Sequence, residues 1–265
     1  MKLNLQRIAF TALLGLVAMS TSVRAQAPAE ISATPSVAQQ ALSTAASQGK
    51  FCYVVFYRDD NDLARAMVQA VNGAAGKQPG AVAAAFVQIT NPAEQAVVQR
   101  FDVSRAPMPL TIVTAPNGAI TGVFPQRVTE QQLAETFVTP AMSHCMKAMQ
   151  EKKIVFLCLQ TTPQTLVPQG VAEFIADEHF KDRTVIVPVQ AADPAEAELL
   201  AELEFNTAPG APNTAFFAPP GVLVGKFTQA STKAEIAASL HNAGKCCDDP
   251  NCKHNHAAKP GGNLR

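Results

Sequence analysis

The sequence predicts an α/β protein built from two tandem copies of one unit. Each copy is a mixed central sheet flanked by helices, and a short Cys/His-rich tail follows. Two observations predict this. The chain repeats itself internally, and each copy alternates helical patterns with short, continuous apolar runs.

The repeat is legible by eye. "PLTIVTAPNGAITGVFPQRVTEQQLAETF", residues 109–137, aligns without a gap on "PNTAFFAPPGVLVGKFTQASTKAEIAASL", residues 212–240, at an offset of 103. Ten of the 29 positions are identical, among them Pro109/Pro212, Pro116/Pro219, Gly118/Gly221, Gly122/Gly225, Phe124/Phe227 and Thr129/Thr232. Upstream, "VQITNPAE" from Val87 matches "VQAADPAE" from Val189 at an offset of 102. Two matches in the same order imply a duplicated unit.

The elements of each copy follow in order. A helical pattern opens it, "SVAQQALSTAASQ" and then "AMSHCMKAMQ". The apolar runs "FCYVVFY" and "IVFLCL" come next, read as strands buried on both faces. A second helix follows in "DLARAMVQAVNGA" and "QGVAEFIADEHF", then a second buried strand in "AVAAAFVQI" and "TVIVPVQ". The two strands are expected to form a central parallel pair with helices on both sides. A third helix starts at Pro92 or Pro194, where a missing N–H costs nothing. After a proline-bearing loop come two strands joined by "APNG" or "APPG". The last helix carries a capping box, Thr129 with Gln132 and Thr232 with Glu235.

This order, helix-strand-helix-strand-helix and then strand-turn-strand-helix, resembles the thioredoxin-like fold superfamily over residues 34–242. The loops "RAPMPLTIV" and "GAPNTAFF" are similar to the loop that carries a cis-proline before the third core strand of thioredoxins. Pro109 and Pro212 are the candidates, each nine residues ahead of the hairpin glycine, with Pro107 the weaker alternative. The resemblance implies a groove at these prolines that holds an extended peptide by backbone hydrogen bonds, so Pro109 and Pro212 mark a candidate partner groove.

The chemistry of that superfamily is missing. Its redox members place Cys-x-x-Cys where the first core strand meets the next helix, because the helix N-terminus lowers a thiol pKa there. Here that stretch reads "FYRDDNDLAR", with Asn61 and Ala64 in the cysteine positions, and "CLQTTPQTLV", with Pro163 and Leu166. The peroxiredoxin and glutathione-peroxidase variants need a cysteine near the same place. Neither copy is therefore expected to exchange thiols and disulfides by the usual route, and a non-catalytic role is favoured over an enzymatic one. Cys52 and Cys158 fall inside apolar strands, as small hydrophobes do. Cys145 lies on a helix beside His144, and neighbours on a helix point in different directions. Asp59, Asp60 and Asp62 read as helix capping rather than as a calcium site.

The compartment comes from the N-terminus. Lys2 and Arg7, an apolar run from Ile8 to Met19, and "VRA" ending at Ala25 have the layout of a secretory signal peptide. Export to a periplasm or the exterior follows, an oxidising setting. The full chain balances 21 basic against 21 acidic residues, and removing residues 1–25 leaves 18 against 21. With no basic stripe, nucleic acid is not an expected partner. No second apolar run has membrane length, so the processed chain has no expected transmembrane segment. The organisation is then signal peptide 1–25, linker 26–33, first copy 34–138, second copy 139–243 and tail 244–265.

The tail contains "KCCDDPNCKHNH". The last helix should end near Gly244. A turn with Pro250 at its second position brings Cys247 back towards Cys252, and in an extended run Cys252, His254 and His256 share one face. Cys247 or Cys246 with Cys252, His254 and His256 makes a set suited to Zn²⁺, while a thiolate-rich subset suits Cu⁺. The competing readings are a disulfide loop between Cys247 and Cys252, and a strained ring between vicinal Cys246 and Cys247. The leading expectation is an exported, non-catalytic scaffold that binds a protein or peptide partner and carries a Zn or Cu site in its tail. The alternatives are an atypical oxidoreductase using the tail cysteines, and an envelope structural protein with a disulfide-looped tail.

Overall fold

The computed structural model describes residues 35–162 and 167–244. The first half runs α1 (Val37–Ser47), β1 (Phe51–Tyr57), α2 (Asp62–Lys77) and β2 (Val82–Gln88). A 3₁₀ turn at Pro92–Glu94 leads into α3 (Gln95–Arg100), followed by β3 (Leu110–Thr114), β4 (Ile120–Pro125) and α4 (Glu130–Ala134). The second half repeats the series as α5 (Pro140–Gln150), β5 (Ile154–Gln160), α6 (Gln169–Ala176), β6 (Thr184–Gln190), α7 (Ala197–Glu202), β7 (Thr214–Ala218), β8 (Val222–Phe227) and α8 (Lys233–Asn242).

Each half has its own four-stranded sheet, in the orders β2-β1-β3-β4 and β6-β5-β7-β8. The first pair in each order is parallel and the other two are antiparallel. The duplication extends to register. Cys52 opposite Thr114 becomes Val155 opposite Phe217, and Phe51 opposite Val82 becomes Ile154 opposite Thr184. Even the irregularity recurs, at Val113/Thr114 and at Phe216/Phe217. An inserted residue that bends a strand at the same place twice belongs to the unit itself.

One expectation is corrected here. The parallel pair exists, but it is not central. β1 lies between β2 and β3, so β2 and β6 sit at sheet edges. Continuous apolar runs report burial of both faces and say nothing of the lateral neighbour. β1 is buried along its length, whereas β2 is buried only in part and leaves Phe86 38% exposed.

Two apolar layers sandwich each sheet. In the first half Leu42, Val54, Phe56, Val87 and Ile112 pack towards α1 and α3, while Tyr53, Val55, Met67, Val71 and Leu133 pack towards α2 and α4. In the second half the α6/α8 side is aromatic: Phe156 stacks on Phe216 at 4.2 Å, and Phe174 stacks on Phe180 at 4.1 Å. Both capping boxes form as expected. α8 ends at Asn242, and Gly244 takes φ +66°, the left-handed conformation that suits glycine at a helix end.

The halves also touch. The Gln150 side-chain amide on α5 donates to the Ile120 carbonyl (2.7 Å) and accepts from the Ile120 N–H (3.0 Å) on β4. It pairs with the outer edge of that strand as another peptide group would.

Candidate functional site: the β1–α2 junction beside Pro109

Asn61 begins α2. Its Oδ1 accepts from the Ala64 N–H at 3.0 Å, which satisfies one of the helix's free donors. Arg65, one turn on, reaches back to the Asp60 carboxylate (3.2 Å) and the Asp62 carboxylate (2.6 Å), and donates to the Asp60 carbonyl (2.9 Å). The cap is thus Asn61, while Asp60 and Asp62 are clasped by the Arg65 guanidinium and do not themselves cap the helix. Among the described residues no three His, Cys, Asp or Glu side chains converge as metal ligands would.

The loop before β3 comes up against this junction. Tyr57, Arg58, Asn61, Ala64, Met108 and Pro109 line a cavity of about 210 Å³. The two positions that would carry thiols, Asn61 and Ala64, therefore face the same hollow as Pro109. The Met108–Pro109 bond is cis, as the loop resemblance implied. The Ala211–Pro212 bond is trans, which corrects the expectation for Pro212; the second cis bond lies in the hairpin turn at Pro219–Pro220. Asn213 explains the local anchoring: its carbonyl accepts from Leu159 N–H (2.8 Å) and its own N–H donates to Phe227 (2.9 Å). Pro163 and Leu166 lie outside the described residues, as do Cys246, Cys247, Cys252, His254 and His256, the signal peptide and the linker.

The remaining thiols are set for inertness. Cys52, Cys145 and Cys158 are buried and form no disulfide among the described residues. Burial pushes the thiols of Cys52 and Cys158 up to about 11 and that of Cys145 to about 12, with the nearby Glu196 carboxylate adding to the last. Nucleophilic thiols need the opposite environment.

Two features escaped the reading of the sequence. Glu94 and Glu196 are 5% and 4% exposed. Each sends Oε1 to the start of the unit's first helix, accepting from Ala38 N–H (3.4 Å) and Ala141 N–H (2.7 Å), while Oε2 has no partner among the described residues. Their signal was the shared "NPAE/DPAE" ending, which read as a helix start alone. The other is a cavity of about 860 Å³ between α2 and the β2 edge, touching Tyr57, Ala64, Val68, Gln69, Phe86 and Gln88. It adjoins the Pro109 hollow through Tyr57 and Ala64.

Strand order, strand direction and the position of the proline loop decide the fold. Each half is thioredoxin-like. Among solved structures the chain is similar to thioredoxin O2 from Arabidopsis thaliana, at 18% identity over 36% of this chain and 79% of that one, with a TM-score of 0.30. It is similar to the NTD_N/C domain of alkylhydroperoxide reductase AhpF from Enterococcus faecalis, at 14% identity over 76% and 96%, TM-score 0.29. Human ERp44 aligns at 10% identity over 80% of this chain and 57% of its own, TM-score 0.35. No family model matches the chain, and no curated protein matches it.

Proposed function

We propose that this chain is an exported, non-catalytic thioredoxin-like binding protein. Its first half holds an extended segment of a protein or peptide partner across the Pro109 hollow. The observation that carries this is the hollow itself: the β1–α2 junction and the Pro109 loop meet as a redox thioredoxin's would, with a capping asparagine and an alanine where sulfur chemistry needs thiols. Binding without turnover is the function such a site retains. Export is supported by the charge and apolar layout of residues 1–25. The tail, residues 244–265, is proposed to hold about one Zn²⁺ or Cu⁺ through Cys246 or Cys247, Cys252, His254 and His256, on the chemistry of that donor set.

Restoring the thiols tests the site. The Asn61→Cys/Ala64→Cys variant is expected to form a reversible disulfide and to speed insulin reduction by a small dithiol, while the parent protein does not. A double variant whose new cysteines never pair would mean that the junction lacks the assumed geometry. The tail is tested separately, by metal content and free-thiol count of the reduced chain with and without residues 245–265. Equal metal uptake by both would remove the metal from the proposal and favour the disulfide loop.

A further inference from the structure

Strand edges invite pairing with another chain, and proteins ordinarily block them with proline, charge, bulges or a covering element. Three of the four edges here are blocked. β4 ends in Pro125, carries the bulge and is capped at Ile120 by Gln150. β8 carries the matching bulge and Lys226, which is ion-paired to Glu204. β6 has Pro188 in mid-strand. β2, "VAAAFVQ", has no proline, no charge and no bulge, and Phe86 stands in register where β6 has Pro188.

The backbone of β2 says what fits. Ala81 C=O and Ile89 N–H point to β1, so the odd-numbered residues between them face inward and Val82, Ala84, Phe86 and Gln88 face out. Of these outward groups, Val82 N–H is taken by Gln78 and Gln88 C=O by Asn91. Both peptide groups of Ala84 and of Phe86, together with Val82 C=O and Gln88 N–H, have no partner among the described residues.

We propose that the β2 edge is a self-association site at which a second copy of this chain adds its own β2 antiparallel, about a two-fold axis at Ala85. Full overlap of the two strands sets Ala84 opposite Phe86 of the other copy and Val82 opposite Gln88. That register uses the unpaired groups and no others, forming about six hydrogen bonds, because Val82 N–H and Gln88 C=O already have partners. It also lays each Phe86 ring against a small side chain on the same face, a large–small match that a shifted register loses. The segment from Gln78 to Asn91 carries no charge, and the nearest charged side chains in the adjoining cavity, Asp60 and Arg65, neutralise each other, so the strand itself brings no like charges to a copy of itself. A seven-residue strand runs ~23 Å, and a sheet with a helix layer on each face is ~20 Å thick, so the contact covers about 900 Å² in all. That area is at the weak end for a specific interface, so a reversible dimer is expected. The cavity between α2 and Phe86 lies along this edge.

Sedimentation velocity on the processed chain across a concentration series, in reducing buffer so that tail disulfides do not contribute, reads the association. The internal repeat supplies the variant: Phe86→Pro copies what β6 already tolerates at Pro188. It is expected to weaken the dimer roughly 30-fold or more, because symmetry deletes two donors at once, with far-UV dichroism unchanged. Phe86→Ala keeps every backbone donor and is expected to weaken the dimer less. If Phe86→Pro fails to fold, Ala84→Lys takes its place and is expected to abolish association through two like charges on the edge. A chain that stays monomeric to about 1 mM overturns the proposal, as does a dimer that Phe86→Pro or Ala84→Lys leaves unchanged. Slow exchange of the Ala84 and Phe86 amides in a demonstrated monomer also overturns it, since another segment of the same chain would then cover the edge.

Discussion

The two halves share one backbone plan and differ in what they leave open. In the first half the parallel edge strand is unblocked, and a cis-proline loop closes a hollow with a capped helix start. In the second half the same edge carries Pro188 and the same loop has a trans proline. The interiors differ as well. Tyr53 in β1 is buried with its hydroxyl 3.5 Å from the Leu133 carbonyl, opposite Val113; the matching Phe156 in β5 lies opposite Phe216 inside an aromatic cluster. Duplication preserves what the sheet needs, namely register, bulge and the capping box of the last helix. It frees edges, loop ends and core composition to diverge, because those are set by individual side chains.

Core truncation should separate the halves most strongly. Phe156→Ala removes a ring packed against Phe174 at 5.3 Å and Phe216 at 4.2 Å. It is expected to cost about 3–5 kcal/mol, seen as an early transition of the second half in denaturant unfolding. Tyr53→Phe at the matching position keeps the ring and loses one long hydrogen bond, so about 0.5–1 kcal/mol is expected. Equal costs would mean that the Phe156 ring contributes no more than one long hydrogen bond, against the packing that its contacts with Phe174 and Phe216 imply.

The buried glutamates sharpen the comparison at the next level. Glu196→Ala is expected to cost about 1–3 kcal/mol by freeing a buried helix donor. Glu94→Ala should cost less, because its bond to Ala38 is 3.4 Å against 2.7 Å at Ala141. Glutamine at either position keeps the acceptor and is expected to fall between parent and alanine variant. Calorimetry on the four single variants checks the order.

The smallest effect is electrostatic and lies in the second half. The Lys233 ammonium, with help from the His179 N–H, holds the Asp177 carboxyl below its ordinary value of 3.8. Lys226 lowers Glu204, and the Thr232 N–H lowers Glu235, both from 4.5. A carboxylate depressed by folding contributes stability fully above its unfolded value, and that contribution is lost as pH falls through the lower folded value. The second half should therefore weaken as pH drops below about 4, and an Asp177→Asn/Glu204→Gln/Glu235→Gln variant should show a flatter profile. The groups are largely solvent-facing, so the change should be small and should shrink with salt. A variant whose midpoint falls with acid as steeply as the parent's would assign the acid loss to other groups.

Much of the fold and part of the site were readable in advance. The repeat and its offset, the capping boxes at Thr129 and Thr232 and the end of the last helix near Gly244 all follow from patterns local to a few residues, or from one alignment of the chain on itself, while the approach of Pro109 to Asn61 and Ala64 was implied by the resemblance to thioredoxins. Glu94 was not readable as a buried cap, because its partner Ala38 is 56 residues away. The Asp59–Asp62 cluster was read as capping, but its clasp by Arg65 needed coordinates.

The sequence by itself determined the number of units, the order of helices and strands and the absence of thiols at both helix starts. Those properties are carried by periodicity, by cap and turn residues, and by residue identity, all of which act over a turn or a strand. Tertiary structure alone decided that β2 lies at an edge rather than in the centre, that Pro109 and Pro212 take different isomers, and which backbone groups of β2 are unpaired among the described residues. Hydropathy records whether a face meets water. It does not record which strand lies alongside, and that lateral choice leaves the peptide groups of Ala84 and Phe86 without partners among the described residues.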